Sequence, residues 1–254
     1  VVTVDGLDLS SVRTTAGDLN GADLSKVMET EQNLHEVASP TLELAGDRRT
    51  LIFTASVAHA ERLCEILNRH RSSSARWLCG KTPKEDRRQM FKDYAAGRFQ
   101  FLCNVGVATE GFDEPGIQLV VMARPTKSRA LYAQMAGRGA RPLDEIAHEL
   151  GRHESSAQRR GLITASPKPC CEIVDFAGNA GRHKLISTAD ILGGRYDDQV
   201  VQRAKRKVAD SAQATDMTEA LIDAERELAE EKARARRAAL KVKASYSVNT
   251  INPF

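Results

Sequence analysis

Short apolar runs alternate along this chain with longer stretches in which apolar residues recur every three to four positions. Arg49-Thr-Leu-Ile-Phe-Thr54 is a compact run of strand formers. Val57 to Arg69 follows it with Ala60, Leu63, Cys64 and Leu67 on one helical stripe, and Ser56 stands where an N-cap belongs. Ala75-Arg-Trp-Leu-Cys79 predicts the next strand. Pro83 to Tyr94 predicts a helix opened by proline and capped by Thr82. Phe99 to Cys103 and Ile117 to Met122 predict two more strands, and Ser128 to Met135 the start of another helix. Gly161 to Thr164 and Glu172 to Phe176 are expected to add a further edge. Strands alternating with helices in this way point to an α/β fold, a parallel sheet with helices on both faces. Such sheets bind ligands beyond the carboxyl ends of their strands.

The flanks carry weaker patterns. Val1 to Val4 and Leu7 to Ser10 read as short strands and Asp23 to Leu34 as a helix, together an extension packed against the core. Ala177 to His183 reads as a loop, Ser187 to Leu192 as a short helix, Asp198 to Ala209 as a helix and Met217 to Val242 as a long charged one. The long helix has only a thin apolar stripe: Leu221, Leu228, Ala235 and Ala239. It reads as a solvated helix laced by ion pairs or as a docking surface for a protein partner.

Composition changes this picture little. The 254 residues are 41% hydrophobic and 28% charged with a net charge of +3, which suits a soluble core with additions and leaves nucleic-acid binding open. No apolar run approaches the ~18 residues that cross a bilayer, and no signal-peptide pattern opens the chain, so a cytoplasmic protein without membrane contact is expected. An odd count of five cysteines argues against a disulfide framework. Cys64, Cys79 and Cys103 lie in apolar patterns as buried thiols. Cys170-Cys171 lacks zinc-ligand spacing, and no metal site is expected. A chain that begins at Val1 reads as part of a longer protein.

Two clusters carry chemistry. In Thr109-Glu-Gly-Phe-Asp-Glu-Pro-Gly116, Gly111 allows close backbone approach and Asp113 sits in a turn before Pro115. That carboxylate suits a ribose hydroxyl, and equally a plain turn that it caps. In Gln134-Met-Ala-Gly-Arg-Gly-Ala-Arg141, Arg138 and Arg141 fall three residues apart, so a helix or tight turn aims both to one side. Two close guanidiniums need an anion. A nucleoside triphosphate fits, and so do the nearby Asp144, Glu145 and Glu149.

In order along the chain, these segments resemble the C-terminal RecA-like domain of superfamily 2 helicases, most of all the DExH branch that includes XPB, RecG and type III restriction proteins. Leu51-Ile-Phe-Thr-Ala-Ser56 resembles motif IV, and Cys79-Gly-Lys-Thr82 the adjoining motif IVa. Val107-Ala-Thr-Glu-Gly-Phe-Asp-Glu-Pro-Gly116 resembles motif V, and Gln134 to Arg141 motif VI. The resemblance implies a RecA-like sheet over residues 45–180, an N-terminal extension or linker over 1–44 and a helical C-terminal extension over 181–254. It implies that Asp113 contacts the ATP ribose, that Gly111 shapes motif V, that Arg138 and Arg141 reach the phosphates and that Gln134 couples nucleotide state to domain closure. It places Thr109, Gly80, Lys81, Thr82 and Ser56 along the nucleic-acid backbone, DNA favoured over RNA.

The chain contains no GxxxxGK[ST] loop and no Asp-Glu-x-His or Asp-Glu-Ala-Asp box. Gly80-Lys81-Thr82 lacks the glycine-rich approach of a Walker A. ATP and Mg therefore belong to the full protein, with Mg held by a first RecA-like domain beyond this chain, and the fragment alone is expected to be inactive. The competing class is a non-catalytic nucleic-acid or protein binding module on the same fold. A hydride-transferring Rossmann enzyme is disfavoured, because Thr54 to His59 offers no GxGxxG. Trp77 and His59 read as core residues, and His183 as a surface contact.

Overall fold

A computed structural model describes residues 1–3, 7–106, 112–176, 185–194, 196–211 and 214–247, and the side chains of these except at 2, 3 and 239–247. Its centre is one parallel sheet. The strands are β1 (Val2–Thr3), β4 (Thr50–Phe53), β5 (Ala75–Cys79), β6 (Phe101–Val105), β7 (Leu119–Met122) and β8 (Glu172–Asp175), in the order β1-β8-β7-β4-β6-β5. A separate antiparallel pair, β2 (Thr14–Thr15) with β3 (Asp18–Leu19), precedes it.

Strand alternation sorts the core onto two faces. Ile52, Cys103, Leu119, Val121 and Val174 pack against α1 (Gly21–Met28), α2 (Glu31–Ala45) and α3 (Val57–His70). Leu51, Phe53, Leu102, Val120 and Met122 pack against α4 (Lys84–Ala95) and α5 (Arg129–Gly137). The expected α/β sheet with helices on both faces is therefore present. Past α5 come α6 (Asp144–Leu150) and α7 (Ser156–Ala165), then β8, then α8 (Thr188–Leu192), α9 (Asp198–Ala209) and α10 (Met217–Ser247). The last three share their own apolar cluster, with Val200, Val201, Ala204, Val208, Met217, Leu221 and Ala224 buried.

Several sequence expectations need correction. Leu7 to Ser10 forms no strand; Leu7 and Leu9 are buried in the main core from a loop that closes at Val12 N donating to Leu9 O. The helix expected over Asp23 to Leu34 is two helices, because the Thr30 side chain caps a new one by accepting from Asn33 N. Gly161 to Thr164 lies within α7, since an apolar run of four does not separate strand from helix. Glu172 to Asp175 is an interior strand, and the edge beyond it is β1. Thr82 does not cap α4: its Oγ1 accepts from Cys79 N at 3.0 Å, and Pro83 takes the cap position. Ser56 does cap α3, accepting from His59 N at 3.0 Å. Ala177 to His183 lies outside the described residues.

Candidate functional site

The expected arginines are positioned by the direction of α5. Ser128 caps its start by accepting from Leu131 N. One turn on, the Tyr132 hydroxyl reaches the carboxyl end of β8, donating to Asp175 Oδ2 at 2.7 Å and sharing a 2.9 Å bond with Thr188 Oγ1. The helix then runs antiparallel to the strands. Its end meets the opposite, amino-terminal side of the sheet, where a Cβ on Gly139 would lie 2.2 Å from Cys171 Sγ and 2.8 Å from Val120 Cγ2. Only glycine permits this approach. The general expectation of a ligand at the carboxyl edge thus fails for these arginines: α5 carries them across the sheet.

After α5 the chain tightens through Gly139 N donating to Ala136 O and Ala140 N to Gly137 O. This turn aims both arginines at one segment. Arg138 Nη1 donates to Phe112 O at 2.5 Å. Arg141 forms an ion pair with Asp113 and a second with Asp144 at 2.9 Å. The Arg141 and Asp113 side chains remain 41% and 55% exposed, so the pair faces solvent and is weakly held. Gln134, one turn before Arg138, is exposed.

The segment that receives them is itself anchored. The Phe112 ring stacks on Phe91 at 4.3 Å. Glu114 pairs with Arg49 at 2.6 Å and also accepts from Gly116 N. Lys168, which sequence reasoning did not single out, is 5% exposed, and its Nζ donates to Pro115 O and Arg141 O at 2.6 Å each. One buried cation thereby ties the two motif backbones together, and burial lowers its pKa. A lysine between prolines carries no sequence signal for this role. Beside Asp113 a groove of about 630 Å³ opens between Phe112–Glu114 and the α4 residues Lys84, Arg87, Arg88, Phe91 and Lys92.

The other expected contacts among the described residues fall at the carboxyl ends of β4 and β5. Ser56 follows β4, and its hydroxyl is engaged with Glu29 as well as the cap. Gly80 and Lys81 follow β5 and are exposed, with Thr82 half-buried in the turn. β6 leads through Gly106 toward Thr109 and Gly111, which lie outside the described residues. The structure therefore brings Asp113, Arg138 and Arg141 together and sets Ser56 and Gly80–Thr82 along a different edge.

Buried groups away from the arginine turn titrate unusually as well. Burial pushes the Asp175 carboxyl up to about 7, opposed by the Tyr132 hydrogen bond and by Lys205. His59 accepts from Ala55 N at 3.2 Å through Nδ1, its buried Nε2 has no hydrogen-bond partner among the described residues, and burial lowers its pKa to about 4. It is a neutral core residue. Trp77 is partly buried against the main core. Cys64, Cys79 and Cys103 are buried thiols; Cys171 is half-buried against Gly139, and burial pushes its thiol up to about 11. His183 lies outside the described residues. Among the described residues, no three potential ligands gather as a metal site, and no helix is long and apolar enough to cross a membrane.

Residues 30–142 match the helicase conserved C-terminal domain family. IRC3 of Saccharomyces cerevisiae, which bears the name of an ATP-dependent helicase, is 31% identical over 195 residues, 75% of this chain and 25% of its own length. The mitochondrial irc3 of Schizosaccharomyces pombe is 36% identical over 119 residues, 46% of this chain and 20% of its own length. Among solved structures, a fragment of an HsdR subunit of a type I restriction enzyme from Vibrio vulnificus superposes with a TM-score of 0.48 at 16% identity, covering 70% of this chain and 32% of that one. The chain thus spans about a quarter of the length of the curated relatives it matches.

Proposed function

Because this chain carries the helicase conserved C-terminal domain, the second RecA-like domain of a superfamily 2 helicase, we propose that it is one half of an ATP-driven nucleic-acid motor and completes the nucleotide site of a partner motor domain. The observation that carries this reading is the convergence of Arg138, Arg141 and Asp113. Asp113 is the carboxylate for a ribose hydroxyl, and the arginines are the cations for the phosphates. A planar guanidinium suits a phosphate and stabilises the charge that spreads over the transferring group. Closure of the two domains would exchange the exposed Arg141–Asp113 and Arg141–Asp144 pairs for phosphate contacts. Such pairs are worth about 0–1 kcal/mol, so the exchange costs little. Gln134, on the same helix, would sense that closure.

The chain's own residues supply cations and a ribose acceptor. Magnesium and the phosphate loop would come from the partner domain, so the isolated chain hydrolyses ATP negligibly. At the other edge, Ser56, Gly80, Lys81 and Thr82, joined by Thr109 of motif V, would hold the backbone of a nucleic-acid strand, while Gly111 would shape motif V at the cleft between the domains. Phosphate contacts position a strand without reading its sequence. DNA is the favoured strand, on the resemblance of the motifs to the DExH branch.

The test is the nucleic-acid-stimulated ATPase of the full-length protein, with single-stranded DNA against RNA of the same sequence. Wild type against Arg138→Ala and Arg141→Ala should show loss of stimulated turnover. Unchanged turnover in both variants would return the arginines to the surface ion pairs they make here and favour a non-catalytic binding module. Stronger stimulation by RNA would reverse the choice of strand.

A further inference from the structure

The long terminal helix divides its charge at one point. From Met217 to Glu231 it carries six acidic residues and one basic, Arg226; from Lys232 to Lys243 it carries six basic residues and no acidic one. The two halves have different surroundings. The acidic half is built into the fold: Met217, Ala220, Leu221 and Ala224 are buried against α9, and Leu228 packs on the same cluster. Its acids answer the cations of α9, Glu227 with Lys207 and Glu231 with Arg203, each at 2.6 Å. At Lys232 this partnership ends. Every residue from Ala229 to Ala238 is exposed, while the backbone stays helical to Ser247. Residues 232–247 add about 24 Å of helix at ~1.5 Å per residue.

A basic stretch of this kind needs an occupant that satisfies charge without apolar contact. Between Ala229 and Ala239 the only apolar side chain is alanine. A protein groove takes its binding energy from large apolar or aromatic anchors, and a membrane-surface helix needs an apolar face; from Lys232 to Lys243 the only larger apolar residues are Leu240 and Val242, two positions apart and so on different sides of a helix. The stretch offers Lys232 and Arg236 one turn apart on one ridge, with Arg234 and Arg237 on another. At its root a groove of about 570 Å³ is lined by Arg203, Arg206 and Lys232 together with Asp198 and Glu231. Cations on two sides of a rod suit a polyanion that is long and indifferent to register.

We propose that residues 232–243 form a cationic arm that binds the phosphate backbone of nucleic acid, outside the motor's own track. This rests on the reading of the chain as a nucleic-acid motor. The acidic half docks the arm on α9; within the helix Arg234 reaches back to Glu230 at 3.6 Å, an exposed pair that is weakly held. The arm then supplies affinity that depends on salt and not on sequence or nucleotide state.

The experiment uses the full-length protein and a labelled single-stranded oligonucleotide, with Kd measured by anisotropy across a series of salt concentrations. Wild type is compared with a Lys232→Gln, Arg234→Gln, Arg236→Gln, Arg237→Gln variant and with a chain cut after Glu231. Both should bind about tenfold more weakly at 0.1 M salt, with the log–log salt slope reduced by about 2 to 3. Their ATPase rate without nucleic acid should match wild type. Equal Kd and slope in all three proteins overturn the arm and leave the motor reading intact. Failure of wild type to bind any oligonucleotide overturns the motor reading and the arm together. Variants that bind the oligonucleotide as wild type does, but no longer sediment with phosphatidylglycerol vesicles, assign the arm to a lipid surface and overturn this proposal.

Discussion

The turn that closes α5 and the carboxyl ends of β4 and β5 both present candidate contacts, but under different constraint. At the turn, Arg138 and Arg141 are already engaged, with the Phe112 carbonyl and with two carboxylates, and Lys168 ties the surrounding backbones together. At the strand ends, Lys81 is exposed on a flexible stem and Ser56 and Thr82 are occupied locally. The first region is preorganised in the backbones that carry its side chains, as a site needs to be if it must stabilise a short-lived charge, while the exposed Arg141 pairs remain exchangeable. The second is loose, which suits a backbone that slides past. In the proposed motor, chemistry and grip are thus separated across the sheet, and α5 spans the distance between them.

The largest expected effect breaks the comparison at its preorganised end. In the full-length protein, Arg138→Ala or Arg141→Ala should lower stimulated kcat by about 10²- to 10⁴-fold while oligonucleotide Kd stays within about twofold of wild type. Steady-state kinetics beside anisotropy check this. A matched loss of Kd would mean that the two regions are not separate.

The second effect concerns the bond that fixes α5 to the carboxyl end of β8. Asp175 keeps its proton to about pH 7 when folded, against 3.8 for the ordinary carboxyl. Between those values the unfolded chain binds fewer protons, so this group's contribution to stability falls as pH rises. His59, with a folded pKa of about 4 against 6.5, acts in the opposite sense: its contribution is complete above pH ~6.5 and is lost as pH falls toward 4. Asp175→Asn removes the first and leaves the second. Thermal unfolding should show the variant gaining on wild type as pH rises from about 4 to about 7. A constant difference across that range would place the carboxyl outside the pH dependence of folding.

These two groups also mark what the sequence can disclose. The interior strands of the parallel sheet were legible because each is a short apolar run, while the polar pair β2 and β3 was not; α3 and α9 were legible because their stripes repeat at helical spacing. Arg138, Arg141 and Asp113 were singled out as a set through the resemblance to motifs V and VI, each a local segment; their convergence is what the structure adds. Tyr132 with Asp175 is a pairing across 43 residues, and Lys168 with Pro115 one across 53. No local pattern signals such contacts. The split of Asp23–Leu34 at Thr30 was signalled only by a capping residue within a continuous polar pattern, and the cap expected of Thr82 was lost to a tighter turn with Cys79.

A smaller effect tests how tightly the preorganised end is built. Gly139→Ala would drive a methyl against Cys171 Sγ and Val120 Cγ2, and Val120 is in the central core. The backbone after α5 must shift, at a cost of about 1–3 kcal/mol. The melting temperature should drop by several degrees, and stimulated turnover should fall further than stability alone explains, because the shift displaces Arg138 and Arg141. Restored turnover in a Gly139→Ala, Cys171→Ala pair would identify the sulfur contact as the cause.

The smallest effect lies at the loose end. Lys81→Ala removes one exposed cation beside the carboxyl end of β5 and leaves no buried group unpaired, so stability should change by less than about 0.5 kcal/mol. Oligonucleotide Kd should weaken a few-fold, uniformly across sequences, with the salt slope reduced by about 1. At saturating oligonucleotide, kcat should equal that of wild type, since the arginine turn is untouched. This is the mirror of the Arg138 and Arg141 variants: affinity moves and turnover stays. A Lys81→Ala protein with normal affinity and reduced kcat would place that lysine in the coupling between the two regions and not in the grip alone.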